Sequence, residues 1–380
     1  MVQPRRSRWT ASAVPYLGVL LVVVALVGAM VDRAGAHGRG PGVDFAGGLT
    51  SPRHLRIGPD GFLYVAEAGI GGDREATCEP VNKFASRETR AGAFGPGYLY
   101  TQPGPYKAGF TGRISRILPD GTRQTIADGL PSAHDGYGDA LGPSDIAWIG
   151  RTMYVVIEGG GCSRGLPDHP AGVVRIDRDG SHTYVADISA FVRANPVANE
   201  PVDGPEGDRE PDGVPHSLLA VGGRLHVVET NHNSVLQVDP DTGEVTRLHD
   251  LSVLDPAPTI LTRHHGRFYL GGFDGLVQVY RHRSGPFRTF DRDYGPIVDM
   301  MFVDHRLFVL ETFAQATPWA PDTGRVVRRG LGGGRSVVAS ELNFPVGMTR
   351  GYGRDLYVTT ASYGQGPVPG LGRIIRIDLP

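Results

Sequence analysis

The chain has 380 residues with 55 Gly and 30 Pro, 40% hydrophobic residues and a formal net charge of −2. No Lys/Arg-rich run reaches the scale that nucleic-acid binding requires, so we exclude nucleic acid as a partner. Turn-forming residues are dense, and no convincing amphipathic helix follows the N-terminus, which indicates an all-β domain of many short strands.

The first 36 residues have the pattern of a targeting segment. Three arginines within the first eight residues give a basic start, an unbroken run of apolar residues and Gly covers 17–31, and small residues follow at 34–36. The run is shorter than the roughly 20 residues that span a bilayer. We therefore predict a signal peptide (1–36) that is cleaved after Ala36, and a secreted or extracytoplasmic protein; an uncleaved N-terminal anchor is the alternative.

Beyond residue 43 the chain repeats one unit six times. Each unit begins at a Pro, and 11 or 12 residues later an aromatic residue (His in the third unit) stands inside an apolar strand. A third strand with period-2 alternation follows, and Asp120-Gly121 and Asp179-Gly180 supply hairpin turns to a fourth. The six pairs are Pro52 and Tyr64, Pro143 and Tyr154, Pro215 and His226, Pro258 and Tyr269, Pro296 and Phe308, and Pro345 and Tyr357.

Four antiparallel strands repeated six times predict a single six-bladed β-propeller domain over 43–380. The sixth unit contains only three predicted strands, at 345–349, 355–359 and 372–379. Residues 43–49 resemble the fourth strand of the first unit, so we expect them to close the last blade and to cover its open edge. A seven-bladed ring with one degenerate blade is the alternative.

Two long insertions, 70–110 and 191–213, interrupt the repeat. In a propeller, the loops between second and third strands share one face with the loops that join consecutive blades, so both insertions lie on that face. Cys78 and Cys162 occupy the same kind of loop on adjacent blades. We predict that they form a disulfide in an oxidising compartment.

The innermost strands begin on this same face, and alignment of the units places polar side chains around the mouth of the central channel. Two histidines among carboxylates could bind a divalent cation, Ca²⁺ if carboxylates dominate and Zn²⁺ or another transition metal if His54 and His216 are the ligands. In the alternative interpretation these side chains hydrogen-bond strand ends, which the repetition of Glu there favours. The acidic segment 200–212 lacks the ligand spacing of a calcium loop, and we expect it to be solvated. The candidates are His54, Asp145, His216, Ser217 and Asp299 on inner strands, and Glu67, Glu158, Glu229 and Glu311 at the ends of second strands.

Five segments carry a family signature: 142–146, 194–196, 229–235, 342–349 (L-N-F-P-V-G-M-T) and 361–377. They resemble the ScyD/ScyE family, and the likeness extends over nearly all of the chain from residue 43. The resemblance implies an exported propeller related loosely to NHL repeats, and it implies no particular reaction. The chain is similar more loosely to gluconolactonase and strictosidine-synthase-like propellers, where a channel-mouth metal or Glu performs the chemistry. It lacks the Glu-Gly-Pro that opens the first inner strand of the lactonases, so no metal site is carried over.

No complete catalytic constellation is present, and three functions stay open. The first is a monomeric exported propeller that binds a small molecule or an extracellular or envelope partner on the face carrying the insertions 70–110 and 191–213. The second is a metal-dependent hydrolase or lactonase with its site at the channel mouth. The third is a structural cell-envelope protein, held in the membrane only by an uncleaved N-terminal segment.

Overall fold

The computed structural model describes residues 40–78, 106–134, 140–201, 210–281, 285–314, 320–363 and 368–379. These residues form six antiparallel sheets, and the fold is the predicted six-bladed β-propeller. The predicted signal peptide 1–36 and residues 79–105 of the first insertion lie outside the described residues. Within the described ranges, no helix combines the length and the apolar character needed to cross a membrane.

Short strands bounded by Gly, Pro and Asp turns build the blades. In the described ranges, one short helix, α1 (Ile188–Ala194), and a 3-10 turn at Cys162–Arg164 accompany them. The strands are β1 (Val43–Leu49), β2 (Pro52–Ile57), β3 (Leu63–Glu67), β4 (Lys107–Ile117), β5 (Arg123–His134), β6 (Ala140–Leu141), β7 (Pro143–Ile149), β8 (Thr152–Ile157), β9 (Gly172–Ile176), β10 (His182–Asp187), β11 (Pro215–Val221), β12 (Arg224–Glu229), β13 (Ser234–Val238), β14 (Val245–Asp250), β15 (Pro258–His264), β16 (Arg267–Gly272), β17 (Val277–Tyr280), β18 (Arg288–Asp291), β19 (Ile297–Val303), β20 (Arg306–Glu311), β21 (Gly324–Arg329), β22 (Arg335–Leu342), β23 (Met348–Arg350), β24 (Leu356–Thr360) and β25 (Gly372–Ile377).

Blades 1 to 5 each use consecutive strands, from β2–β5 to β19–β22, and the two-residue β6 adds a short fifth strand to the first sheet. Blade 6 is built from β23, β24, β25 and β1, which confirms the predicted closure. In that closure Val43 pairs with Arg376 and Leu49 pairs with Gly372. The N-terminal strand therefore covers the edge that β25 would otherwise expose.

The hydrophobic core is divided among the interfaces between blades. Six clusters of buried apolar side chains each join two neighbouring blades. At the closing interface, Leu49 and Tyr357 of blade 6 pack with Leu55, Leu63 and Val65 of blade 1. Because each sheet is covered by a neighbour on either side, apolar residues fill both faces of the strands and the strict alternation of a half-buried sheet is lost.

The first strand of blade 6 is shorter than predicted. It covers Met348–Arg350 instead of 345–349. Phe344 has a positive φ of 37°, and Gly347 exchanges hydrogen bonds with both the backbone and the side chain of Thr359. The chain therefore enters this blade through a turn, and the regular ladder begins only at Met348.

Both insertions contain regular structure that the sequence interpretation missed. The strand β4 begins at Lys107, inside the predicted first insertion, because Lys107 pairs with His134 and extends the β4–β5 ladder beyond the blade. The helix α1 extends into the start of the second insertion, and its N-cap Asp187 accepts a hydrogen bond from the backbone N–H of Ala190 at 2.7 Å. Seven helical residues are too few to show a helical period in sequence.

Candidate functional site at the insertion-bearing face

The predicted channel-mouth residues of the inner strands lie close together and are buried. His54 lies on β2, Asp145 on β7 and Asp299 on β19, and all three are at most 1% exposed. Arg56, two residues after His54 on the same side of β2, reaches between the two carboxylates. Its Nη2 is 2.8 Å from Asp145 Oδ2, and its Nη1 is 2.9 Å from Asp299 Oδ2.

The two aspartates also join consecutive blades through the backbone. Asp145 Oδ2 accepts a hydrogen bond from the N–H of Leu218 in blade 3 at 3.0 Å. Asp299 Oδ2 accepts one from the N–H of Met348 in blade 6 at 2.8 Å. Each carboxylate therefore holds a neighbouring inner strand, and the two carboxylates share the single positive charge of Arg56.

The combined effects of charge and burial shift the pKa values of Arg56 and His54 in opposite directions. Burial would lower the pKa of the Arg56 guanidinium, but the negative charges of Asp145 and Asp299 outweigh burial and raise it above the ordinary value. Burial lowers the pKa of His54, and the two aspartates offset this only in part. His54 is therefore neutral at neutral pH, with Nδ1 3.1 Å from the carbonyl oxygen of Ser144 and Nε2 3.2 Å from that of Val298. Only one of these two contacts is a hydrogen bond in the neutral ring.

These contacts do not suit a metal ion between His54 and the aspartates. A guanidinium already occupies the position between Asp145 and Asp299, and both ring nitrogens of His54 face carbonyl oxygens. Among the described residues, two clusters bring three metal-binding side chains together, and neither contains His54 or His216. Metal binding by His54 and His216 stays a prediction that this geometry does not support.

Two of the four glutamates at the ends of second strands hold the chain as it enters the blade. Glu67 accepts a hydrogen bond from the N–H of Thr50 at 2.7 Å, and Glu229 accepts one from the N–H of Val214 at 2.7 Å. Glu311 instead binds Arg325, with 2.5 Å between Oε2 and Nε. The repetition of Glu at this position thus has a structural cause, which agrees with the strand-end interpretation.

Glu158 departs from this pattern. Its Oε1 lies 2.6 Å from His216 Nδ1, so His216 of blade 3 donates to a carboxylate of blade 2. The donation leaves the proton on Nδ1 and the lone pair on Nε2, and this Nε2 is buried without a hydrogen-bond partner among the described residues. An imidazole held by a carboxylate in this way can act as a general base.

The predicted disulfide between Cys78 and Cys162 is present, with 5.4 Å between the Cα atoms. It joins the first insertion to the 3-10 turn of blade 2. Arg193 of α1 lies beside it, donating to Cys162 Sγ at 3.1 Å and to Asp212 Oδ1 at 2.7 Å. The disulfide and the hydrogen bonds of Arg193 together therefore connect the first insertion, the 3-10 turn of blade 2 and the second insertion.

A buried ion pair lies under the disulfide. Arg164 is fully buried, and its Nη2 lies 2.5 Å from Glu210 Oε2. Asp212 accepts a hydrogen bond from the N–H of Ser163 at 2.7 Å. The prediction that the acidic segment is solvated is therefore wrong for Glu210 and Asp212, because cationic and N–H partners from blade 2 and α1 compensate their burial. Asp203, Glu206 and Asp208 lie outside the described residues.

A groove with a volume of about 380 Å³ opens next to the disulfide. One wall comes from the first insertion and β4, and the other from the loop between β8 and β9. Gly165 makes their close approach feasible, because a Cβ there would lie 2.7 Å from the carbonyl oxygen of Glu75. The side chains that line the groove include Arg74, Glu75, Thr77, Phe110, Asp168 and His169.

Phe110 is the aromatic centre of this groove. It is 36% exposed. The Arg74 guanidinium lies over its ring at 5.2 Å, and the His169 ring meets it edge-on at 4.8 Å. The groove therefore presents an apolar ring face next to side chains of both charge signs.

Two residues central to this face were missed in the sequence. Arg56 could have been found, because it follows His54 by two positions and a strand directs such residues to the same side. Arg164 carried no such signal, because it lies in an irregular loop and its partner Glu210 is far away in sequence.

No protein-family model matches the chain, and no curated protein matches it. Among solved structures, a gluconolactonase from Xanthomonas campestris is 13% identical with a TM-score of 0.45, over 89% of this chain and 99% of that chain. A Thermus thermophilus protein assigned as an oxidoreductase (glucose dehydrogenase) is 17% identical with a TM-score of 0.49, over 90% and 100%. A chain of the nidogen/laminin complex is 14% identical with a TM-score of 0.44, over 66% and 84%. At these identities and scores the likeness carries no inference about activity or ligand, and the ScyD/ScyE assignment stays a prediction.

Proposed function

We propose that the protein is an extracytoplasmic binding protein whose ligand site is the groove around Phe110. The observation that carries this proposal is the construction of the groove, whose two walls are joined covalently by Cys78 and Cys162. A groove held in shape before the ligand arrives loses less entropy on binding. The same disulfide supports the extracytoplasmic location, because disulfides persist in oxidising compartments.

The lining of the groove suits a small polar ligand with an apolar face, such as a saccharide. A sugar ring can pack on the exposed face of Phe110 while its hydroxyl groups bond to Arg74, Glu75 and Asp168. Arg74 donates hydrogen bonds, and the carboxylates of Glu75 and Asp168 accept them. Together they suit hydroxyl groups, which both donate and accept. The assignment to the ScyD/ScyE family, which rests on sequence motifs alone, is compatible with such a role and does not specify the ligand.

A thermal-shift screen of neutral and acidic mono- and oligosaccharides tests this function. We expect at least one class to raise the melting temperature of the wild-type protein, and Phe110→Ala and Arg74→Ala to abolish the shift. Leu331→Ala is the control, because Leu331 is 75% exposed in the β21–β22 turn on the opposite face. No shift with any saccharide, or equal shifts in the groove variants, would contradict the proposal.

A hydrolase of lactones or esters is the second candidate, and Glu158 with His216 favours it. In this case His216 Nε2 would take a proton from a water molecule as its oxygen attacks the lactone carbonyl, and the ring would return the proton to the leaving alkoxide. The carboxylate of Glu158 would stabilise the charged ring between these two steps. No step is assigned to a metal ion, because His54 and the aspartates do not fit one. Hydrolysis of simple lactones that falls about 10²–10⁴-fold in His216→Gln, and that persists in chelator, would support this candidate; no hydrolysis at all would remove it.

The third alternative, an envelope protein anchored by its N-terminus, depends on residues 1–36. Sequencing the N-terminus of the protein isolated from its host decides it. A mature chain that starts at His37 would contradict the anchor and support secretion.

A further inference from the structure

Three histidines meet on the face of the propeller opposite the insertions. His264 ends β15, His265 follows it in the turn to β16, and His305 lies in the β19–β20 turn of the neighbouring blade. One nitrogen of each ring lies within 4.8 Å of the other two. His265 Nε2 and His305 Nδ1 are 3.0 Å apart. None of these residues contributes to the groove or to the channel mouth.

The neighbours of the cluster orient one ring and leave the other two accessible. The His264 ring stacks on Phe302 with 4.1 Å between centroids and 4° between planes. His265 and His305 are exposed, and their rings lie nearly parallel at 5.0 Å. A solute can therefore reach the nitrogens directly, while the packing of His264 fixes one side of the cluster.

The backbone of the two turns holds one histidine each in the left-handed region, as two-residue hairpins require. His265 and His305 have positive φ values of 47° and 65°. The equivalent turns of blades 2 and 3 contain Gly150 and Gly222-Gly223, residues for which this conformation carries no steric cost. A side chain other than Gly in a left-handed conformation costs about 1 kcal/mol.

We propose that His264, His265 and His305 form a site for a transition metal ion of the Zn²⁺ type. Imidazole nitrogens bind Zn²⁺ at about 2.0–2.1 Å, which places the nitrogens of a tetrahedral site about 3.3 Å apart. The nitrogens of His265 and His305, 3.0 Å apart, are already near this spacing, and a nitrogen of His264 lies within 4.8 Å of the other ligand atoms. Three protein ligands leave a fourth position for water or a ligand, and the ion would join the neighbouring blades 4 and 5.

Metal titration of the full-length protein, purified without a polyhistidine tag and stripped with EDTA, tests the site. We expect calorimetry to show one Zn²⁺ per chain. We also expect Co²⁺ to give the visible absorption of a tetrahedral nitrogen-ligated ion. His265→Gly and His305→Gly should each weaken binding at least tenfold, and the double variant should abolish it. His182→Ala, which removes a partly buried histidine in blade 2, should bind like the wild type.

The choice of Gly keeps the test independent of folding. Gly adopts the positive φ of both turns more easily than His does, so the variants should be at least as stable as the wild type without metal. Binding of Cu²⁺ or Ni²⁺ with the same dependence on the three histidines would also support the site. The absence of stoichiometric binding, or unchanged affinity in the double variant, would overturn the proposal.

Discussion

Arg56 of blade 1 and Asp299 of blade 5 form an ion pair across the central channel, with 2.9 Å between Nη1 and Oδ2. The second Nη of the same guanidinium binds Asp145 of blade 2. One side chain therefore connects three of the six inner strands. The aspartates in turn bond to backbone N–H groups of Leu218 and Met348, so the ion pairs extend to blades 3 and 6.

Replacement of Arg56 by Leu leaves two buried carboxylates without a cation. Breaking a buried ion pair in this way costs about 3–5 kcal/mol, and we expect a loss of this size in the free energy of unfolding in urea. Arg175→Leu is the control, because its ion pair with Asp177 is largely exposed and screened by solvent. A loss below about 1 kcal/mol for Arg56→Leu would show that the carboxylates do not need this partner.

Substitution of Leu49 tests whether β1 closes the ring of blades. It is fully buried on β1 and packs against blade 1, so Leu49→Ala should lower the free energy of unfolding by about 2–5 kcal/mol. Val43→Ala on the same strand removes a side chain that is 57% exposed and should have little effect. Equal effects of the two substitutions would argue against β1 as a structural part of blade 6.

The disulfide should stabilise the insertion-bearing face. Cys78 and Cys162 are 84 positions apart, and closing a long loop restricts the unfolded chain, which typically contributes about 2–4 kcal/mol. We expect reductant to lower the unfolding midpoint of the wild type. The Cys78→Ser/Cys162→Ser double variant should already have this lower midpoint and should not respond to reductant. If reductant left the unfolding midpoint of the wild type unchanged, the prediction would be contradicted.

His54 should make the protein less stable in mild acid. Its pKa is lowered in the folded state, so below the ordinary value of about 6.5 the unfolded chain binds a proton that the folded protein does not. Stability is therefore lost as pH falls from about 6.5 toward the folded pKa. Compared with His54→Gln in urea unfolding between pH 8 and pH 5, the wild type should lose more stability on acidification.

His232 should have the opposite pH dependence. Burial alone would lower its pKa, but the charge of Glu229 outweighs burial and raises it above the ordinary value. The stabilisation is fully present below about pH 6.5 and is lost as pH rises through the folded pKa. His232→Gln should therefore destabilise the protein more at pH 6 than at pH 9. If His232→Gln lowered the free energy of unfolding equally at both pH values, the imidazole of His232 would be neutral over the whole range.

The fold could be predicted because the same sequence pattern occurs six times along the chain. The Pro that begins each unit and the aromatic residue 11 or 12 positions later identify the inner and second strands even where one copy is degenerate. The Cys78–Cys162 disulfide followed from the same topology, since equivalent loops of adjacent blades meet on one face.

The contacts within the site were harder to predict, because they join residues that are distant in sequence. Alignment placed Asp145 and Asp299 at the channel mouth, but the cation that pairs with both comes from Arg56, whose partner Asp299 is 243 positions away. Glu210 and Asp212 were expected to be solvated because a run of acidic residues is usually exposed. Their burial depends on Arg164 and Arg193, which only the folded chain brings near.

Blade 6 takes its strands from both ends of the domain, and this imposes an order on assembly. The strand β1 is synthesised first, but its partner β25 is synthesised last. Until the final blade is complete, β1 has no sheet to join, and Leu49 can pack only against blade 1. Pairing across the whole domain gives a large mean sequence separation of contacts, which slows folding. We therefore expect ring closure to be the late and rate-limiting event, and any factor that shields β1 during synthesis to raise the yield of folded protein.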